Sequence, residues 1–277
     1  MTTRIKRRIV QLVAAVGINW YLFWPWLGSR TRSFCVPVLN CWTCPAAAFS
    51  CPIGAIGTSI SNHIFPFFAL GIVLLAGVVA GRFWCGWICP FGTLQDYLHK
   101  IPTYKLKLPH FLTYARYIFL VGGVFIIPYF YTTQSPAYWC QYCPAGRIEA
   151  GIYTKVVTPM WPEAWRFLVI VGFVLFMIAV QRGFCRVFCP LGAILGLCNK
   201  ISVWRMTLTG HKCKSCGVCQ TKHCPVDHAV YKNPHSADCI RCLECKECKF
   251  DAVGHGIVFK KKKKDTPPEE TESQSPA

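Results

Sequence analysis

Cysteine is the residue this chain uses for chemistry, with 19 among 277 residues. Eight fall in two runs, Cys213-x2-Cys216-x2-Cys219-x4-Cys224-Pro225 and Cys239-x2-Cys242-x2-Cys245-x2-Cys248. Such runs hold pairs of cubane iron–sulfur clusters, each cluster taking three cysteines of one run and the last cysteine of the other. By that rule one cluster is held by Cys213, Cys216, Cys219 and Cys248, and the other by Cys239, Cys242, Cys245 and Cys224. Two spacings depart from the usual one. Four residues, rather than three, precede Cys224, and two precede Cys248, which is followed by Lys249 where proline is usual. Zinc ribbons also use Cys-x2-Cys pairs, but three cysteines in close succession, twice over, fit cubanes better.

Eight more cysteines form four pairs. Arg82-Phe-Trp-Cys85-Gly-Trp-Ile-Cys89-Pro90-Phe-Gly92 returns 100 residues later as Arg182-Gly-Phe-Cys185-Arg-Val-Phe-Cys189-Pro190-Leu-Gly192. Cys41-Trp-Thr-Cys44-Pro45-Ala46 returns 99 residues later as Cys140-Gln-Tyr-Cys143-Pro144-Ala145. One pair cannot complete a four-thiolate site, but two symmetric copies can. The expected inner set is therefore Cys85, Cys89, Cys185 and Cys189, and the expected outer set is Cys41, Cys44, Cys140 and Cys143. Proline after each second cysteine suits the first turn of a helix, and a helix N-terminus stabilises an anionic cluster. For the outer set a second reading stays open. The outer side of a bacterial membrane permits structural or thiol-exchanging disulfides, and Cys41-Trp-Thr-Cys44-Pro45 is similar to a redox-active C-x-x-C. Sixteen cysteines in four clusters leave Cys35, Cys51 and Cys198, with Cys35 and Cys51 available to bridge each other.

The elements that must position these residues are apolar. Composition is 53% hydrophobic with only 15% charged residues, too apolar for an ordinary soluble domain. Ile9 to Leu27, Ile64 to Ala80, Tyr114 to Tyr131 and Trp165 to Val180 each approach the ~20 residues that cross a bilayer. The net charge of +18 tracks the loops. Arg4, Lys6, Arg7 and Arg8 precede the first span, and Arg82, Lys100, Lys105, Lys107 and Arg116 lie between the second and third. Arg182, Arg186, Lys200 and Arg205 follow the fourth. The opposite loops hold Arg30, Arg32, Arg147 and Lys155. The positive-inside rule then puts both termini in the cytoplasm of a multi-pass protein of the bacterial inner membrane. Charge placed this way argues against a nucleic-acid partner.

The expected fold class is an α-helical membrane protein. Four transmembrane helices form a duplicated two-helix unit (about 1–104 and 105–203), a parallel repeat with its axis along the membrane normal. Residues 204–259 form a cytoplasmic, two-cluster ferredoxin-like α+β domain, and the charged tail 260–277 is expected to be disordered. Its lysines 260–264 suit either anionic lipid heads or a plain solvated tail. No C-x-x-C-H signals covalent haem, and no histidine lies within the four spans.

The order Phe-Trp-Cys85-Gly-Trp-Ile-Cys89-Pro90, Gly-Phe-Cys185-Arg-Val-Phe-Cys189-Pro190, Cys213 to Cys224-Pro225 and Cys239 to Cys248 resembles the NapH-type membrane ferredoxins over about residues 64–256. NosR and cytochrome-oxidase-assembly proteins are more distant kin. The resemblance implies four spans, four-iron clusters and electrons taken from membrane quinol; the outer C-x2-C-Pro pairs depart from that pattern. A quinone site needs a polar proton outlet. Asp96, His99 and Lys100 are candidates on the inner side, and Glu149 and Glu163 on the outer side. The function expected is an electron-transfer subunit of a quinol-linked respiratory complex, wired between both membrane faces. Its expected partners are membrane lipid, the quinone pool and iron–sulfur or multihaem cytochrome subunits. The alternatives are a membrane iron–sulfur protein for assembly or redox sensing of another metalloenzyme, and a plain anchor for a ferredoxin.

Overall fold

A computed structural model of the chain describes residues 2–19, 34–42, 44, 47, 49–133, 135, 138–149, 164–209, 213, 216–247 and 252–257. Cys248, Glu163, Lys155, Arg30, Arg32 and the tail 260–277 lie outside the described residues, as does the second half of the expected first span.

Helix α1 covers Thr3–Ile18. Helices α2 (Pro52–Ser61), α3 (Phe67–Ala80), α4 (Phe83–Trp87) and α5 (Pro90–Leu98) follow. A helical run α6 extends over His110–Phe130, and a short helix α7 covers 144–149. Helices α8 (Ala164–Ala179), α9 (Gly183–Val187) and α10 (Pro190–Cys198) complete the helical part. The bounds of α9 and α10 are those of α4 and α5 shifted by 100 residues, and a long apolar helix precedes each of these pairs.

Among the described residues only α6, at 21 residues, is long and apolar enough to cross a membrane; Phe67–Ala80 and Phe167–Ala179 are shorter apolar helices. The expected second span begins late because Pro66 caps α3 and disfavours helix in the residue before it. The fourteen residues of α3 rise about 21 Å, against a hydrocarbon core of about 30 Å.

Helix α3 is apolar all round and divides its faces by size. Small or branched Ala69, Val73 and Gly77 are buried at a spacing of four. Phe67, Phe68, Leu75 and Val79 are exposed, as are Leu12, Val13 and Val16 of α1 and Ile118, Val121, Ile126 and Phe130 of α6. Gly77 is obligatory, because a Cβ there would come within 2.7 Å of the Cys198 Sγ on α10. Cys198 thus serves packing. Helix α6 widens to π geometry over Phe119–Ile126, a feature common at functional sites. Gly123 on the widened turn admits Trp139, whose Cβ would lie 2.8 Å from a Cβ at that position. Trp139 then stacks within 15° of Phe188 at 6.1 Å and within 8° of Phe184 at 6.5 Å.

The cysteine runs hang between two antiparallel strands, β1 (Trp204–Leu208) and β2 (Val253–Ile257), registered from Trp204↔Ile257 to Leu208↔Val253. Met206 and Val253 turn inward and join Val230, Cys219 and Cys245 in a small core. So few apolar side chains leave this module's core to its cysteines and whatever they bind.

Candidate metal centres

The inner set comes first because two copies of one motif build it. Cys89 and Cys189 are the N-caps of α5 and α10, each followed by proline in the first turn. Cys85 and Cys185 sit on α4 and α9, and all four thiols are buried. They converge. Burial raises the Cys189 thiol well above its ordinary range, and Cys185, Cys85 and Cys89 raise it further. Amide donors face these sulfurs. The Gly192 N–H donates to Cys189 Sγ at 3.3 Å, the Gln95 Nε2 group donates to Cys185 Sγ at 2.9 Å, and the Leu39 and Gly92 amides lie near Cys89.

Two arginines at equivalent positions cross between the copies. Arg82 Nη2 donates to the carbonyl of Cys185 at 3.1 Å, and Arg182 Nη1 donates to the carbonyl of Cys85 at 3.2 Å. Both side chains are fully buried. Glycine makes room for each guanidinium. A Cβ at Gly92 would lie 3.3 Å from Arg182 Nη2, and one at Gly192 would lie 3.1 Å from Arg82 Nη2. Arg182 holds left-handed backbone at φ 51°, a strained conformation for a long side chain.

The symmetry ends at Asp96. It binds Arg182 through both oxygens at 2.9 and 2.7 Å, and Arg7 at 2.8 Å. Burial pushes its carboxyl up, but Arg182 and Arg7 hold it below the usual carboxylate range. The equivalent position is Gly196, where a Cβ would press on the Ala237 carbonyl at 2.8 Å. Arg82 therefore has no carboxylate at ion-pair distance among the described residues.

The second run docks directly onto the inner set. Gly86, between Cys85 and Trp87, lies so close to the Ile240 carbonyl that any Cβ would collide with it. Trp87 Nε1 donates to Arg241 O at 3.2 Å, and Asn199 Nδ2 to Cys239 O at 2.8 Å. Cys224, Cys239, Cys242 and Cys245 line one small pocket together with Met206, Val226, Val230 and Ile240. Arg241 and Leu243 flank Cys242 with φ of 51° and 62°. Alternation of this kind turns successive N–H groups inward as an anion-binding nest. The Arg241 and Glu244 amides lie near the Cys239 and Cys242 thiols. Arg241 itself is buried on carbonyls and the Ser202 hydroxyl, and burial lowers it to about 10. Of the first run, Cys219 is buried beside Cys245. Cys213 is half-buried and Cys216 exposed.

The outer loops also bring thiols together. Cys41 N donates to Glu149 Oε2 on α7 at 2.6 Å, and Cys143 leads into that helix. Burial raises the Cys143 thiol, and Cys140 and Cys41 raise it further. Cys44 is buried, with its N–H on the Cys41 carbonyl at 3.1 Å. The bridge expected between Cys35 and Cys51 is not made, since both thiols are free. Cys35 pairs in register with Ser50 and its Sγ lies 3.9 Å from Ser50 Oγ. The next residue, Cys51, must point to the opposite face.

These residues fit iron–sulfur clusters. Among the described residues no three Cys, His, Asp or Glu side chains gather closely enough to hold a single metal ion. A cubane spreads its four thiolates over four irons. Buried Arg82 and Arg241 have Nε atoms without partners, and a cluster's negative charge would answer a cationic surplus that is otherwise costly to bury. The arginines are the part that sequence reading missed. Their signal was present as Arg82 and Arg182 opening the two repeated motifs. The candidate quinone residues diverge. Asp96 is committed to two arginines, His99 Nδ1 meets Ile178 O at 3.0 Å, and the Lys100 ammonium rests on the Tyr97 ring.

Residues 62–109 and 162–209 both match the 4Fe-4S binding domain family. The chain is related to ferredoxin-type proteins. The two matched stretches are themselves 100 residues apart and enclose the inner cysteines. An uncharacterized protein of Methanocaldococcus jannaschii is 29% identical over 220 residues, 76% of this chain and 83% of its own. The methylamine utilization ferredoxin-type protein MauN of Methylobacillus flagellatus is 24% identical over 82% of this chain and 77% of its own. The regulatory protein NosR of Stutzerimonas stutzeri is 25% identical over 54% of this chain and 21% of its own. No solved structure matches the chain.

Proposed function

We propose that this chain is a membrane electron-transfer subunit of the quinol-dehydrogenase type. It carries electrons between the quinone pool, its own four-thiolate sites and a partner redox protein. The observation that carries this reading is the unbroken order of the sulfur sets. The Leu39 backbone lies near Cys89, and Cys41 follows two residues on, at most about 7 Å of chain. Arg182 lies near both Cys185 and Cys242. Cys242, Cys245 and Cys219 then run on into the ferredoxin module. The outer set thus meets the inner one across a loop that folds back, and no hop as long as the ~30 Å bilayer is needed. The stack of Trp139 on Phe184 and Phe188 fills the space between residues adjoining Cys140, Cys185 and Cys189.

Bound clusters would supply one-electron carriers, so that one quinol, oxidised to quinone with release of two protons, reduces two of them. The protein's part is to hold their charge. Buried guanidiniums, inward amides and cysteine-capped helices favour the reduced, more negative state. The exposed apolar faces of α1, α3 and α6 suit lipid, with four spans in two repeats and both termini on the cytoplasmic side. The kinship with NapH-type proteins belongs to the same proposal.

The test is to reconstitute the anaerobic protein in lipid and add a quinol analogue. The visible iron–sulfur absorption should bleach. Cys185→Ala should bleach less with quinol, while dithionite still reduces its remaining clusters. Equal quinol bleaching in wild type and variant would leave only an anchored ferredoxin.

A further inference from the structure

We propose that Cys51, rather than Cys44, is the fourth sulfur ligand of the outer site, with Cys41, Cys140 and Cys143. The proposal rests on the outer set being a cluster, as read above. Three features place Cys51 there. Its N–H donates to the Asn40 carbonyl at 2.8 Å, which fixes it beside Cys41. Cys41 is in turn tied to α7. Its N–H is on Glu149, and its Sγ lies 3.1 Å from where a Cβ on Gly146 would be. Cys51 therefore shares one locus with the helix that Cys143 introduces.

The second feature is its build. Cys51 is the N-cap of α2, with Pro52 in the first turn and extended backbone at φ −66°, ψ 128°. Cys89 caps α5 at −64°, 114° and Cys189 caps α10 at −76°, 111°, each also followed by proline. Cys143 also stands before a proline that opens a helix, Pro144 of α7, so four described cysteines share this start, two of them in the inner set. The sequence hides this likeness, because Cys41-x2-Cys44-Pro45 mimics the second outer pair more closely.

The third feature is Tyr138. Its hydroxyl is buried. It presses on Gly57 of α2, where any Cβ would clash with it, and it faces Cys140, with Cys51 and Cys143 nearby. A buried phenol beside three thiols is a hydrogen-bond donor suited to sulfur, and Cys140 is the thiol it meets. Burial raises the Cys51 thiol, and Cys140, Cys143 and Cys41 raise it further, as expected of one cluster of neighbours.

Anaerobically purified full-length Cys51→Ala and Cys44→Ala proteins decide the matter by iron and sulfide analysis with EPR of the reduced state. Cys51→Ala should lose between one and about four irons and the signal of one cluster, keeping the other three; Cys44→Ala should keep the wild-type count. Unchanged iron in Cys51→Ala, or loss in Cys44→Ala alone, would overturn the proposal. Should Cys51→Ala not accumulate, Cys51→Ser keeps the cap, and one altered EPR signal is expected; an unaltered spectrum would count against Cys51. A wild-type protein with about twelve irons would remove the outer cluster itself, a failure distinct from that of Cys51 alone.

Discussion

Arg82 and Arg182 reach across the repeat, each to the carbonyl of the other copy's first cysteine. Of the two, Arg182 has a carboxylate in ion-pair contact among the described residues. Arg82 lies near Asp238 without an ion-pair contact to it, and its charge also bears on the sulfur site. Positive charge beside a cluster favours its reduced form, so Arg82→Gln should lower the midpoint potential of one cluster. The expected shift is on the order of 60 mV for each ~1.4 kcal/mol of lost charge interaction in a one-electron couple. Arg82→Lys should restore part of it. Potentiometric EPR titration reads both. A Gln variant with unshifted potentials and intact clusters would make Arg82 a packing residue only.

The elements that matter are short. Helices α4 and α9 have five residues each, too few to stand alone, and packing and cysteine geometry hold them. Gly86 shows how closely the module is seated, since its backbone meets Ile240. Gly86→Val should part the second run from the inner set while leaving both sets of ligands intact. Limited proteolysis should then release the 204–257 module faster than in wild type; unchanged protection would mean that the contact does not govern docking. At this scale the sequence was partly legible. The repeat at an offset of 100 foreshadowed α4–α5 and α9–α10 because Cys-Pro marks a helix start. The lengths of the apolar helices were less legible, since Pro66 delays α3 and composition alone does not mark helix ends. The role proposed for Cys51 is not legible in the sequence, because sequence symmetry pairs Cys41 with Cys44 instead. The fold pairs residues through backbone contacts such as Cys51 with Asn40. The buried arginines escaped because a basic residue beside an apolar span reads as a loop charge.

Over the whole molecule the thiols form a file. The outer set leads through Leu39 and the aromatic stack to the inner set, and through Gly86 and Arg182 to the pocket of Cys224, Cys239, Cys242 and Cys245. Cys219 then leads on to the first run. Such a file is of use only if every position in it holds iron. The direct measurement is the iron, sulfide and zinc content of the full-length protein purified without oxygen. Four sites of four thiolates each predict about sixteen irons and sixteen sulfides per chain. Zinc in place of iron, or a protein free of both metals under strict anaerobiosis, would contradict the account.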